Sequence, residues 1–167
     1  MSGQFWDETA FQTLFAELGN IPLYEVYELT RPAVPGELIH GISILHSGIV
    51  GNEYFMTKGH YHVVLETSEL YHCLSGQGVM VMENLDGEWE ILELRPGVSL
   101  YVLPGWAHRS VNTSPTEDLI SLFAYPGNAG HDYGTIETQG FRKLVINRSG
   151  SPAVINNPRW LAPTERL

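Results

Sequence analysis

An all-β architecture of antiparallel strands, a barrel or a sandwich, is the fold class this sequence predicts, and three observations predict it. From Leu23 onward the chain divides into short runs of five to nine residues rich in Val, Ile, Leu, Tyr and Phe. Turn chemistry separates them, at Pro35-Gly36, from Asn84 to Gly87, and at Pro96-Gly97. No helical segments alternate with the runs, which argues against parallel βαβ units.

The one helical pattern comes first. Between Asp7 and Leu18, the residues Phe11, Leu14, Phe15 and Leu18 fall at helical spacing, Asp7 can cap the start and Gly19 the end. These apolar residues read as core contacts. Strands are then expected over 23–29, 37–45, 53–57, 60–65, 69–74, 78–84, 88–94, 98–103, 107–112, 118–125 and 143–147. Asp86-Gly87 signals a hairpin between two of them. The tail from Ser149, with Pro152, Pro158 and Pro163, reads as extended surface-packing chain. With no internal repeat and no linker, residues 1–167 are expected to form a single domain: a helix over about 7–18, a barrel over about 22–147 and a tail over about 149–167.

Composition bounds the function. A chain of 167 residues, 43% apolar, can bury a real core in one domain. The formal charge of −10 argues against nucleic acid and anionic membrane as partners. An anionic substrate must therefore meet local positive charge. The single cysteine, Cys73, cannot form an internal disulfide, which fits a reducing compartment. The segment MSGQFWDETA has neither the basic residues nor the apolar run of a signal peptide. No stretch approaches the roughly 18–20 apolar residues of a membrane span. A soluble, cytoplasmic protein is expected.

The most informative stretch is GHYHVVLETSE, Gly59 to Glu69. On a strand His60 and His62 point to one face, since side chains alternate with period two. Glu69 follows seven residues after His62, and His108 comes from a separate expected strand. Three imidazoles and one carboxylate suit iron, manganese, nickel, zinc or copper, and suit magnesium and calcium poorly.

Two glycine-anchored segments carry this set: His60, His62, Glu69 and Gly76 in the first, and Gly97, Pro104, His108 and Asn112 in the second. They resemble the paired motifs of the cupin superfamily, whose double-stranded β-helix, a small jelly-roll barrel, binds a metal near its centre. Six residues separate His62 from Glu69, where three or four are usual, and a longer turn before Glu69 would absorb the difference. TKGHYH, the following ELY, YVLPGWAHRSVN and YPGNAGHDYGTI, with the early YEVY and the terminal NNPRW, resemble more narrowly the cupin-type glucose-6-phosphate isomerases of archaea and some bacteria. The resemblance runs from Tyr24 to Trp160. It implies that His60, His62, Glu69 and His108 hold one divalent transition metal per subunit, Fe2+ foremost, with Mn2+, Ni2+ and Zn2+ also fitting. It further implies a homodimer that interconverts glucose 6-phosphate and fructose 6-phosphate in glycolysis and gluconeogenesis.

Isomerisation moves a proton between C1 and C2, so a base must reach both carbons while the developing enediolate is stabilised. Glu69 is the first candidate base; a hydride shift would leave it a ligand only. Thr57 and the backbone of Gly59 can donate to a phosphate. By resemblance Tyr24, Thr57, Gly59, Tyr125, His131 and Tyr133 contact the sugar phosphate, and Ser43 stands where the family often has threonine. His131 and Tyr133 join Glu69 as candidate catalytic residues, because an apolar core has no use for the GHDY run. Asp132 either orients His131 or closes the turn. Lys58 and Arg109 are the candidate cations. Tyr71 and Cys73 share the face of Glu69, whereas His40, His46 and His72 lack ligand spacing. The same ligand set also suits a cupin dioxygenase, and a non-catalytic sugar-phosphate-binding cupin is the third possibility.

Overall fold

The computed structural model describes residues 3–19 and 21–160. Its elements are α1 (Glu8–Leu18), β1 (Tyr24–Leu29), β2 (Leu38–Leu45), β3 (Ile49–Val50), β4 (Glu53–Tyr54), β5 (Glu69–Ser75), β6 (Gly78–Asn84), β7 (Trp89–Leu94), β8 (Ser99–Val102), β9 (Trp106–Asn112), β10 (Leu119–Pro126), α2 (Gly134–Gln139), β11 (Lys143–Arg148) and β12 (Ser151–Asn156). The strands form a five-stranded sheet in the order β1-β2-β10-β5-β8, a four-stranded sheet β12-β11-β4-β3, and a three-stranded sheet β7-β6-β9. All pairings are antiparallel.

The chain changes sheets between β4 and the next few residues. Glu53 pairs with Ile146 of β11, while Met56 already stands opposite Val111 of β9. The segment continues beside β9 to His60, which bridges His108. From Met56 to His60 three residues intervene, against only two from His108 to Val111. This one-residue excess is a β-bulge at Lys58-Gly59, with Gly59 at φ 77°.

α1 begins as expected, with Asp7 Oδ1 accepting from Ala10 N at 2.9 Å. Its apolar residues are less buried than the periodicity suggests. Phe11 and Leu14 pack against the core, but Phe15 and Leu18 are exposed. Phe5, ahead of the helix and fully buried, is the real anchor and stacks on Phe11 at 5.6 Å. The Asp86-Gly87 hairpin joins β6 to β7 through a four-residue loop, 85–88, with Gly87 at φ 98°.

Two expectations fail and one is refined. Residues 60–65 form no strand: only His60 and Tyr61 make isolated bridges, and the chain then turns at 64–67. The tail, expected as extended surface-packing chain, pairs along β11 over Ser151–Asn156; its last part, 161–167 with Pro163, lies outside the described residues. A second helix, α2, exists although only the N-terminal one was expected. Its six residues, with Gly at the start and a single buried position at Ile136, carry too little periodicity to announce a helix.

Candidate metal centre

The five-stranded sheet and the β9 layer bound a cavity of about 430 Å3, within the range of small-molecule sites. Tyr24, Ser43, Glu69, Tyr71 and Tyr125 line it from the first, and Thr57, Gly59, His60, His108 and Ser110 from the second. His131 and Tyr133, from the segment before α2, complete it. Of the metal ligands, catalytic residues and sugar-phosphate contacts expected from the sequence, all line this cavity except His62. His62 instead faces an adjoining groove that it shares with Tyr61, Leu85 and His131.

Alternation does put the two histidines of the pair on one side, although the segment is only an extended strap. Tyr61 between them is buried and its amide donates to Asp132 O at 3.1 Å. Glu69 opens β5 with an inward side chain, 2% exposed, and His108 is equally enclosed on β9 at 1%. Glu69 Oε2 lies 3.1 Å from His62 Nε2, 3.0 Å from His108 Nε2 and 4.0 Å from His60 Nε2. One ligand atom from each of the four falls within 4.8 Å of all the others.

That donor set fits a divalent cation. His60 Nε2 and His108 Nε2 are buried without a hydrogen-bond partner among the described residues, and both turn toward the same carboxylate. Orphaned ring nitrogens converging on a carboxylate are costly unless something binds there. Burial, with the neighbouring His108, pushes the His60 pKa down to about 2, so its ring is neutral and able to ligate. Burial alone would raise the Glu69 carboxyl, but the adjoining His108 ring, the close contacts with His108 and His62, and the nearby His60 outweigh it and hold Glu69 below the usual carboxylate range.

At the glycine bulge, the bulge itself makes the geometry. Thr57 and His60 are an odd number of residues apart and would face opposite sides of a regular strand; the inserted residue lets both line the cavity. A Cβ on Gly59 would stand 2.6 Å from the Phe141 ring, so the backbone conformation and the space both call for glycine. Thr57 Oγ1 accepts from Ser110 N at 3.0 Å, leaving its own hydrogen to donate. Lys58 lines the cavity, pairs with Glu137 of α2 and lies 4.8 Å from the Tyr133 ring centroid.

Arg109, the other candidate cation, does not reach the cavity. It is 3% exposed on the opposite face of β9, donates to Lys58 O at 2.8 Å and packs on Phe141 at 4.2 Å. Burial lowers its pKa to about 10 despite Glu53 and Glu83 nearby. Asn112 also proves structural, its amide donating to Leu45 O and Glu117 O at 2.9 and 2.8 Å. Asp132 closes the turn into α2, accepting from Thr135 Oγ1 at 2.6 Å and Thr135 N at 3.3 Å. His131 stands edge-on to His60 at 4.3 Å and to Tyr125 at 5.1 Å, and burial lowers its pKa. His46 is taken up by Glu25 and Asp118, each at 3.2 Å, and His72 contacts Ser99 at 2.8 Å, both away from the site. Cys73 is fully buried in the core.

Sequence reasoning missed Glu28 and Ser110 as lining residues. Ser110 shares the parity of His108 on β9, a signal that was available. Glu28 shares the parity of Tyr24 on β1, a signal also available, although its contact with Tyr125 (Tyr125 Oη donates to Glu28 Oε2 at 2.5 Å) comes only through folding across β2.

An antiparallel double-stranded β-helix with a His-x-His, Glu and His set converging inside it is a cupin. Among solved structures of this fold, an oxalate oxidase in complex with the substrate analogue glycolate superposes with a TM-score of 0.53 at 14% identity, over 70% of this chain and 58% of that one. At that identity the likeness speaks for the fold alone. The family model described as glucose-6-phosphate isomerase (GPI) matches residues 1–160. Curated glucose-6-phosphate isomerases from Thermococcus litoralis and Pyrococcus abyssi are 43% and 44% identical over 160 residues, which is 96% of this chain and 83% and 84% of theirs. The chain belongs to the glucose-6-phosphate isomerase family.

Proposed function

We infer that this chain is a metal-dependent aldose–ketose isomerase interconverting glucose 6-phosphate and fructose 6-phosphate, with His60, His62, Glu69 and His108 as the metal ligands. The observation that carries this reading is a four-ligand cluster, three of whose members (His60, Glu69 and His108) line the same cavity as the donors Thr57 and Gly59 and the cation Lys58. A bound divalent ion would supply Lewis acidity to neighbouring oxygens of the substrate.

The protein's own groups do the rest. Thr57, whose acceptor side is taken by Ser110 N, donates to the phosphate, as does the amide of Gly59. Lys58 supplies the local positive charge that an anionic substrate needs on a chain of net charge −10. Tyr24, Ser43, Tyr125 and Tyr133 offer hydroxyls to the sugar. His131, kept neutral by burial, can pass a proton at a sugar hydroxyl. Glu69, ionised and 2% exposed, is the base for the proton on C1 and C2. Its buried environment excludes water from the developing enediolate.

Fe2+ is the ion of first choice, with Mn2+, Ni2+ and Zn2+ able to occupy the same donors. We further propose a cytoplasmic homodimer acting in glycolysis and gluconeogenesis. Supporting the dimer is the outer face of the five-stranded sheet, where Leu38, Leu70, Leu74 and Tyr101 are exposed, Leu70 directly across from Tyr101. Sedimentation velocity reads that state directly.

The decisive test is a coupled assay of fructose 6-phosphate conversion, run without oxygen, before and after chelation and then with single divalent ions restored. Turnover lost on chelation and recovered with metal is expected. Turnover absent with every ion, despite stoichiometric metal, would reject the isomerase reading, and oxygen uptake in its place would mark an oxidative cupin.

A further inference from the structure

We propose that Thr67 is a positioning residue for the metal centre, holding His62 so that Nε2, and not Nδ1, faces the other ligands. The proposal rests on the metal-site reading of His60, His62, Glu69 and His108.

The turn that carries Thr67 is the unusual stretch of the motif, six residues between His62 and Glu69. It is fastened at its base, where Val64 N donates to Ala129 O at 2.9 Å and Val63 N to Gly130 O at 3.4 Å, next to His131. Within it Thr67 N donates to Val64 O at 3.0 Å, and Thr67 Oγ1 donates to the same carbonyl at 2.6 Å. A hydroxyl has one hydrogen. With that hydrogen on Val64 O, the 2.8 Å contact between Thr67 Oγ1 and His62 Nδ1 requires the ring N–H to donate. The other neighbour of Nδ1, Thr67 O at 3.3 Å, can only accept as well.

Two acceptors therefore place a hydrogen on Nδ1. Nε2, 3.1 Å from Glu69 Oε2, is then the nitrogen whose lone pair faces the other ligands. The additional turn residues thus have a purpose of their own: they bring a hydroxyl back under the second histidine of the pair. A shorter connection would have no side chain at that point.

The test compares the stripped full-length chain with Thr67→Val, Thr67→Ser and His62→Ala, measuring Zn2+ affinity by chelator competition and melting of the metal-free forms. Thr67→Val keeps the shape but leaves Nδ1–H only the more distant carbonyl. We expect affinity to fall about 10-fold, with Thr67→Ser within about 3-fold of the parent, in line with lost outer partners of metal-bound histidines. Metal-free melting should be the same in all of these but His62→Ala. In the Zn2+-loaded parent, long-range 1H–15N spectra should find the hydrogen of His62 on Nδ1. Unchanged affinity in Thr67→Val alongside a loss in His62→Ala would overturn the role of Thr67 and leave the metal site intact. So would a hydrogen on Nε2, or a fall in metal-free melting with no rescue by serine. Unchanged affinity in both Thr67→Val and His62→Ala would reject the site itself.

Discussion

Thr57 and Arg109 sit on neighbouring strands a few residues from the same bulge, and their opposite fates follow from which lone pairs and charges are already committed. Ser110 N occupies an acceptor site of Thr57, so the hydroxyl hydrogen is free for an anion. Arg109 has its guanidinium buried against Phe141 and donating to Lys58 O, with the buried carboxylates of Glu53 and Glu83 near enough to favour its charge, so that removing one charge leaves the others less well compensated. Strand parity could have excluded Arg109 from the cavity, since it alternates with His108 and Ser110; its basic side chain alone pointed the other way. The prediction for Thr57 is specific. Thr57→Val deletes one hydrogen bond to a charged group, worth about 1.5–3 kcal/mol, so KM for fructose 6-phosphate should rise about 10-fold or more while kcat changes little. Steady-state kinetics checks it, and an equal effect on unphosphorylated fructose would remove Thr57 from the phosphate end.

Among the elements, the stretch from Glu53 to His62 matters most and was least legible. Its composition, apolar and aromatic residues around two histidines, is that of a strand, and the expectation of 60–65 as a strand followed. The structure divides it instead among three partners: β11 at Glu53, β9 at Met56 and His60, and Asp132 at Tyr61. Local pattern cannot report such partner switching, because pairing is decided by chain segments far away in sequence. The alternation argument survived because it depends on extended backbone and not on a ladder. Gly59 is the hinge of this element. Gly59→Ala should cost about 1–3 kcal/mol for the positive φ, and the clash with Phe141 adds to it. Because the same bulge aims Thr57 and His60 together, metal affinity and phosphate binding should fall jointly. Thermal melting, chelator competition and KM on one variant measure all three, and an unaffected KM would separate the bulge from the phosphate site. By contrast β2, β5, β6, β9 and β10 were readable within a residue or so at each end, each being a run bounded by real turn signals.

The whole molecule closes a polar, ligand-rich centre inside an apolar barrel, and that arrangement has a consequence for stability against acid. The fold and the four-ligand cluster were legible because both rest on spacing: turn residues every few positions, and histidines of matched parity on adjacent segments. The second helix and the β12 pairing were not, being stabilised by tertiary contacts of short, weakly patterned stretches. Without metal, the folded protein must keep His60 neutral down to about pH 2 against 6.5 in the unfolded chain. The folded state then binds fewer protons, so stability is full above about pH 6.5 and is lost as pH falls below it. Glu69, lowered in the folded state, acts in the same direction as pH drops toward its folded pKa. By pH 4.5 the His60 contribution alone amounts to roughly 3 kcal/mol, at 1.36 kcal/mol per unit. A divalent ion at 100 times its Kd adds about 2.7 kcal/mol at neutral pH, and protons compete for the same nitrogens, so this gain should vanish on acidification as well. Urea midpoints of the stripped and loaded forms between pH 4.5 and 7.5 should therefore diverge toward neutrality and converge toward acid. His60→Gln should flatten the metal-free profile; a slope as steep as the parent's would mean that other groups carry the acid sensitivity.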